Sequence, residues 1–142
     1  MFSPTTAPDV TETVTKRIRE HRNYLNTNPG YTWAYSTDRE TVGRFSGVVQ
    51  AVVEVELHIK FSKNPGQRPD WVEAHTVQFA AAARCAGHGC PDSVHEVAPT
   101  DEFLLDADAD ETAPAALPLV AAAQAWAQQH AEACRALPYD GR

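Results

Sequence analysis

From Val53 to Phe61 the chain alternates apolar and polar side chains without a break: Val-Glu-Val-Glu-Leu-His-Ile-Lys-Phe. Successive side chains of a strand point to opposite faces, so this run predicts a strand with one dry face and one wet face. Each apolar side chain on the dry face contributes about 1.5–3 kcal/mol on burial, before conformational entropy is charged. A lone strand cannot collect that energy, so neighbours are required. Tyr31, Trp33 and Tyr35 alternate with Thr32, Ala34 and Ser36, which predicts a second strand. Lys63–Asp70 is a loop by its Asn, Pro and Gly content, and it returns the chain into a third strand over Trp71–Ala81. A strand, a loop and a strand with no helix between them make an antiparallel hairpin. A short strand is expected at Ser93–Val97. The stretch 42–52 reads two ways, as a backward extension of the Val53 strand bent at Gly47 or as a short helix capped by Asp38.

Helical spacing governs the two ends. Val10, Val14, Ile18 and Leu25, with His21 and Tyr24 between them, predict a helix from about Asp9 to Asn26. Asp9 is placed to cap it, and Asn28-Pro29-Gly30 to stop it. A second helix is expected from Ala115 or Pro118 to Ala136. Leu119, Ala122, Ala123, Trp126, His130, Ala133, Cys134 and Leu137 would share one face, with Pro138 closing the helix. The fold class is therefore α+β: an N-terminal helix, a small antiparallel sheet of three to five strands and a C-terminal helix.

A length of 142 residues fits one domain, and 43% hydrophobic content with 22% charge is ordinary for a globular one. Residues 1–8 are expected to be disordered. No apolar run approaches the ~20 residues of a membrane span, and the first residues lack the basic and apolar parts of a secretory signal. Both observations predict a soluble, cytoplasmic chain. Nine Arg against three Lys, with abundant Ala, suggest a bacterial or phage source.

Charge is unevenly placed. Ten basic and nine acidic side chains precede Cys85, whereas two basic and ten acidic ones lie from Cys85 onward, giving −7 in all. An acidic half repels a phosphate backbone and favours a basic partner. Seven acidic residues lie between Glu96 and Glu111, and 99–114 is expected to be an acidic, mobile connection. The basic stretch Lys16–Arg22 is the one place from which nucleic acid would be bound.

All three cysteines fall in the acidic half, at Cys85, Cys90 and Cys134. Gly87 and Gly89 lie inside the Cys85–Cys90 loop, where they let backbone N–H groups turn toward a thiolate. His130 and Cys134 are four positions apart on the expected helix and so project from one face. Cys85, Cys90, His130 and Cys134 are the ligand set of a tetrahedral structural Zn2+, which would join the last helix to the sheet in the manner of a zinc finger. Inert buried thiols and redox chemistry are the competing readings, and a cytosolic chain with three cysteines argues against disulfides. His88 and His95 are reserve ligands.

The Cys pair followed by Trp126-Ala-Gln-Gln-His130 resembles a group of short, uncharacterised actinobacterial or actinophage proteins. In them a strand runs into a Cys pair and a later Trp-x3-His helix completes a zinc site. The resemblance spans residues 75–137; residues 1–74 lie outside it. This chain departs in its x4 knuckle spacing, its acidic insertion, and Cys134 where a second His often stands. The resemblance implies a metal and a compartment, and no activity.

Enzyme motifs fail on inspection. His130-Ala-Glu132 lacks the following Pro-Cys-x2-Cys of zinc deaminases, and there is no His-Glu-x-x-His. Asp106-Ala-Asp108-Ala-Asp110 begins like a calcium loop, but Glu111 stands where Gly is needed and Leu117 where a bidentate Glu belongs. The expectation is a non-enzymatic, zinc-stabilised interaction or regulatory protein that presents an acidic face to a basic protein partner. The alternatives are a nucleic-acid-associated regulator using the N-terminal helix, and a small metal-dependent hydrolase.

Overall fold

The computed structural model describes residues 10–27, 35–46, 52–64, 74–88, 90, 93–134 and 137–138. In chain order these form α1 (Val10–Thr27), β1 (Tyr35–Ser46), β2 (Val52–Asn64), β3 (Ala74–Cys85), β4 (Gly87–His88), β5 (Val94–Val97) and β6 (Phe103–Leu104). There follow α2 (Ala109–Thr112), a 3₁₀ turn (Ala113–Ala116), α3 (Leu117–Ala133) and β7 (Leu137–Pro138). The main sheet is antiparallel in the order β1-β2-β3-β5, with β6 also paired to β3. This is the expected α+β arrangement of two terminal helices around an antiparallel sheet.

The alternation in β2 does what its period demands. Val53, Val55, Leu57, Ile59 and Phe61 are buried, and across the ladder they face Cys85, Ala83, Ala81, Phe79 and Val77 of β3. Residues paired across an antiparallel ladder share a face. One face of the sheet is thus a continuous apolar row, which the buried Val10, Val14 and Ile18 of α1 join in a single core with Val120, Ala123, Ala127 and Ala131 of α3. The opposite face carries Glu54, Glu56, His58 and Lys60, none of them fully exposed.

Several boundaries differ from those expected. Residues 42–46 are strand, not helix, and 47–51 lie outside the described residues. The β1–β2 register shifts between Thr41 and Gly43, leaving Val42 as a bulged residue that is wholly buried. Gln124 of α3 donates to the Val42 carbonyl at 2.9 Å. A polar side chain on the last helix thereby satisfies an acceptor at the irregularity. The third strand runs to Cys85 instead of stopping at Ala81. Ala80–Ala83 carries no alternation of its own, yet β2 supplies a partner for every residue. The expected start of the first strand at Tyr31, the Asp9 cap, the Asn28-Pro29-Gly30 stop and residues 1–8 lie outside the described residues.

Within 99–114, Leu105, Ala109, Thr112 and Ala113 are buried beside exposed acidic neighbours. Arg22 of α1 donates to the carbonyls of Leu105 and Ala107. Arg19 pairs with Asp110 at 3.3 Å, and Arg17 pairs with Glu40 of β1. Three basic residues of α1 therefore have partners within the fold.

The buried face of α3 also differs. It is Val120, Ala123, Ala127 and Ala131, while Ala122 and Ala133 are exposed. Alanine on both sides gives this helix little amphipathic contrast to read.

Candidate metal centre

The four expected ligands are brought together by elements that have separate reasons to be there. Cys85 ends β3, its side chain on the buried face opposite Val53. Its N–H donates to the Ser93 carbonyl at 2.7 Å, and the Ala86 N–H donates to Val52 at 2.9 Å, extending the ladder into the loop. The chain then turns back, with Cys90 N–H donating to the Gly87 carbonyl at 3.2 Å. This turn carries Cys90 over Cys85.

From the other side comes α3. Small buried residues allow close approach: Ala81 and Ala83 on the sheet and Ala123, Ala127 and Ala131 on the helix belong to one core. The helix lies against β3 and β2, so its C-terminal end arrives at the end of β3. His130 occupies the last turn. Cys134 was expected inside the helix, but it is the C-cap: its N–H still donates to the His130 carbonyl at 2.7 Å, while its backbone has opened to φ −69, ψ 127. Beyond it Leu137–Pro138 does not merely close the helix. It pairs antiparallel with Gly87–His88, forming a two-stranded ribbon between the knuckle and the end of the chain.

The donor atoms of Cys85, Cys90, His130 and Cys134 all lie within 4.8 Å of one another. Cys134 Sγ is 3.8 Å from Cys90 Sγ and 3.9 Å from Cys85 Sγ. Cys90 Sγ is 3.3 Å from His130 Nε2. Four donors around a tetrahedral ion with Zn–S of about 2.3 Å and Zn–N of about 2.0–2.1 Å have S···S edges of about 3.8 Å and S···N edges of about 3.5 Å. The two S···S edges of 3.8 and 3.9 Å match that figure, the S···N edge of 3.3 Å falls slightly inside it, and the other edges lie within 4.8 Å. All three cysteines are free thiols, at separations far beyond the ~2.05 Å of a disulfide.

Without a cation the Cys85 thiol stays protonated. Burial pushes the Cys85 thiol up to about 11 from an ordinary 9.0; the Gly87 N–H, 3.3 Å from its sulfur, opposes the rise, and the neighbouring Cys134 sulfur adds to it. Buried thiols crowded together resist ionising unless a positive charge sits among them, and a divalent ion supplies that charge. Cys85 is buried, while Cys90, His130 and Cys134 are half-buried. The cluster lies at the edge of the core, with Cys85 inside it and Cys90 and Cys134 packed against it.

Of the reserve histidines, His95 is not part of this group. His95 stacks on Trp126, its ring centroid 5.2 Å away and the planes 8° apart. For His88 only the backbone is described, in its pairing with Leu137. Trp126 stacks on His130 at 4.5 Å and 13°. The Trp-x3-His spacing already puts the two residues on one helix face, but it does not by itself predict the stacking.

Neither a family model, nor a curated protein, nor a solved structure matches the chain. The description that fold and donor set support is an α+β protein with a cluster of three cysteines and one histidine able to hold a metal ion. No helix among the described residues is long and apolar enough to cross a membrane.

Proposed function

We propose that Cys85, Cys90, His130 and Cys134 bind one Zn2+ as a structural ion, and that the protein so stabilised works by interaction and not by catalysis. The observation that carries this reading is the set of S···S separations of 3.8 and 3.9 Å about a shared centre, completed by His130 Nε2. Four protein ligands fill a tetrahedral shell and leave no position for a substrate or an attacking water. What the ion would supply is a positive charge that ionises the thiols and a clamp across distant parts of the chain.

The acidic side chains Asp101, Glu102, Asp106, Asp108, Asp110 and Glu111 are exposed in a stretch of sequence that holds no Lys or Arg, and Arg19 of α1 pairs with one of them, Asp110. They favour a partner with a basic surface. The basic residues of α1 that would serve nucleic acid have internal partners instead: Arg17 on Glu40, Arg19 on Asp110, and Arg22 on two carbonyls. Reduced cysteines fit a reducing compartment such as the bacterial cytoplasm, where we place the protein.

Metal analysis of protein purified without chelators tests the site. About one equivalent of zinc per chain is expected; less than about a tenth would overturn it, since such a ligand set retains zinc. For the partner class, a mobility-shift titration across salt concentrations should show no shift with duplex or single-stranded DNA. A steeply salt-dependent shift abolished by replacing Arg17, Arg19 and Arg22 would establish the nucleic-acid reading instead.

A further inference from the structure

His130 lies in the final turn of α3, and a histidine can in general ligate a metal through either ring nitrogen. The structure shows one arrangement, Nε2 facing Cys90 Sγ at 3.3 Å. On one side the ring lies against the indole of Trp126, centroids 4.5 Å apart and planes 13° from parallel. The indole also stacks with His95, 5.2 Å away at 8°. His95 belongs to β5 and pairs with Ala83, two residues before Cys85 on β3. The indole thus stacks both with a ring of β5 and with the candidate ligand His130.

We infer that Trp126 is a positioning residue for the metal ligand His130, with its indole held against the sheet by His95 so that the imidazole plane is set before the ion arrives. Offset stacking of flat rings is worth about 0.5–1.5 kcal/mol beyond the area buried, and it restricts ring rotation as well as position. Groups that orient a metal-ligating imidazole ordinarily do so by hydrogen bonding to its second nitrogen, and losing them weakens metal affinity about 10–100-fold. Here a flat hydrophobic face does that work. Because Trp126 precedes His130 by one helical turn, the contact is intrinsic to α3. The contribution of His95 is to register that turn against β5. This inference rests on the proposed metal site and adds the residue that orients one of its ligands.

The experiment compares Trp126→Phe and Trp126→Leu with the wild type. Phe keeps a flat face for His130, whereas Leu keeps apolar bulk without one. Co2+ and Zn2+ affinities are measured by competition with a chelator of known affinity, the Co2+ d–d bands record ligand geometry, and denaturation of the metal-free form records stability. NMR of the metal-free protein adds a readout independent of the ion: the His130 ring protons should be shifted upfield by the indole ring current, a shift that Trp126→Phe should largely keep and Trp126→Leu should lose. The expected result is an affinity about 10–100-fold weaker for Trp126→Leu with displaced d–d bands, and an affinity within a few-fold of wild type for Trp126→Phe. Should Trp126→Leu fail to fold, a Trp126→Phe affinity and spectrum matching wild type would support the assignment and a tenfold loss would overturn it. Trp126→Leu matching wild type in affinity and bands, with only the metal-free stability lowered, would reduce Trp126 to a core residue and overturn the inference while leaving the metal site intact. A wild-type protein that takes up neither ion would overturn both.

Discussion

The sulfur of Cys90 and Nε2 of His130 approach to 3.3 Å although 40 positions separate them in the chain. Nothing local enforces that meeting. Cys90 is held by the turn back from β3, and His130 by alanines that let α3 lie close to the sheet. The encounter therefore reports the docking of the whole helix, and a metal ion bound there would in turn reinforce that docking.

Removing the metal should loosen only one end of α3. Structural zinc contributes on the order of 10 kcal/mol in small fingers, but Val120 and Ala123 are buried independently of the cluster. With Cys90→Ser, or after chelation, amide protection should collapse from about His130 onward and across the β4–β7 ribbon. Protection in β2 and around Ala123 should persist. Hydrogen exchange followed residue by residue checks this, and uniform loss of protection across β2 would contradict it.

Alkaline pH should separate the metal-free from the loaded protein. The metal-free fold holds Cys85 protonated up to about pH 11, against an ordinary 9.0, so over that interval it binds more protons than the unfolded chain. Stability of the metal-free form must then fall as pH rises between about 9 and 11. The loaded protein, whose thiols are already ionised on the metal, should lack this decline. Metal affinity should run the opposite way at low pH, weakening as protons compete for sulfur and imidazole. Urea midpoints at pH 8 and pH 10.5, with and without zinc, distinguish these outcomes.

His21 should make the fold acid-sensitive. Burial lowers its affinity for a proton below the ordinary 6.5, with Asp38 opposing that effect and His75 adding to it, while its ring lies 4.0 Å from that of Phe61 at 8°. Below about pH 6.5 the unfolded chain takes up a proton that the folded one resists, so stability falls as pH falls until the lower folded value is passed. His21→Phe keeps a ring against Phe61 and should flatten this part of the profile. Denaturant midpoints of the metal-free wild type and variant at pH 7.5 and 5 should converge on different slopes. Parallel slopes would contradict the assignment.

Close approach of α3 to the sheet should be intolerant of added volume. Ala127 is fully buried, and Ala127→Leu inserts three carbons where helix and strand meet. Overpacking of this kind costs about 1–3 kcal/mol and should also lower metal affinity by displacing His130 and Cys134. Ala125→Leu, on the exposed side of the same helix, should change stability by no more than about 0.5 kcal/mol. Thermal melts and zinc titrations of the two variants provide the comparison.

The residues differ sharply in how much they reveal before folding. Val53–Phe61 declares a half-buried strand because its period is two over its full length, and the structure places each side chain on the expected face. Cys85, Cys90, His130 and Cys134 declare a common chemistry because few other roles suit that combination, and their donor atoms do converge. By contrast, the Ala80–Ala83 end of β3 and the buried stripe of α3 are written in alanine, which suits either secondary structure and either side of an interface. Their assignment depends on partners distant in sequence. The same holds for Val42, whose bulge is sealed by Gln124, and for Leu105, whose carbonyl is held by Arg22. Such features follow from long-range pairing, and no local pattern encodes them.

The separation of the two ligand pairs along the chain also sets an order of events at the ribosome. Cys134 follows Cys85 by 49 positions, an interval of about 2–10 s at translation rates of 5–20 residues per second. From Cys90 until His130, 40 positions later, the knuckle holds only two of the four candidate ligands. Closing a flexible loop of this length costs roughly 3–4 kcal/mol beyond a constant, so the later pair is recruited efficiently only once α3 has docked on a finished sheet. The β2–β3 hairpin is thus the template and the helix the messenger, and a metal ion bound at the cluster would be the last component to join.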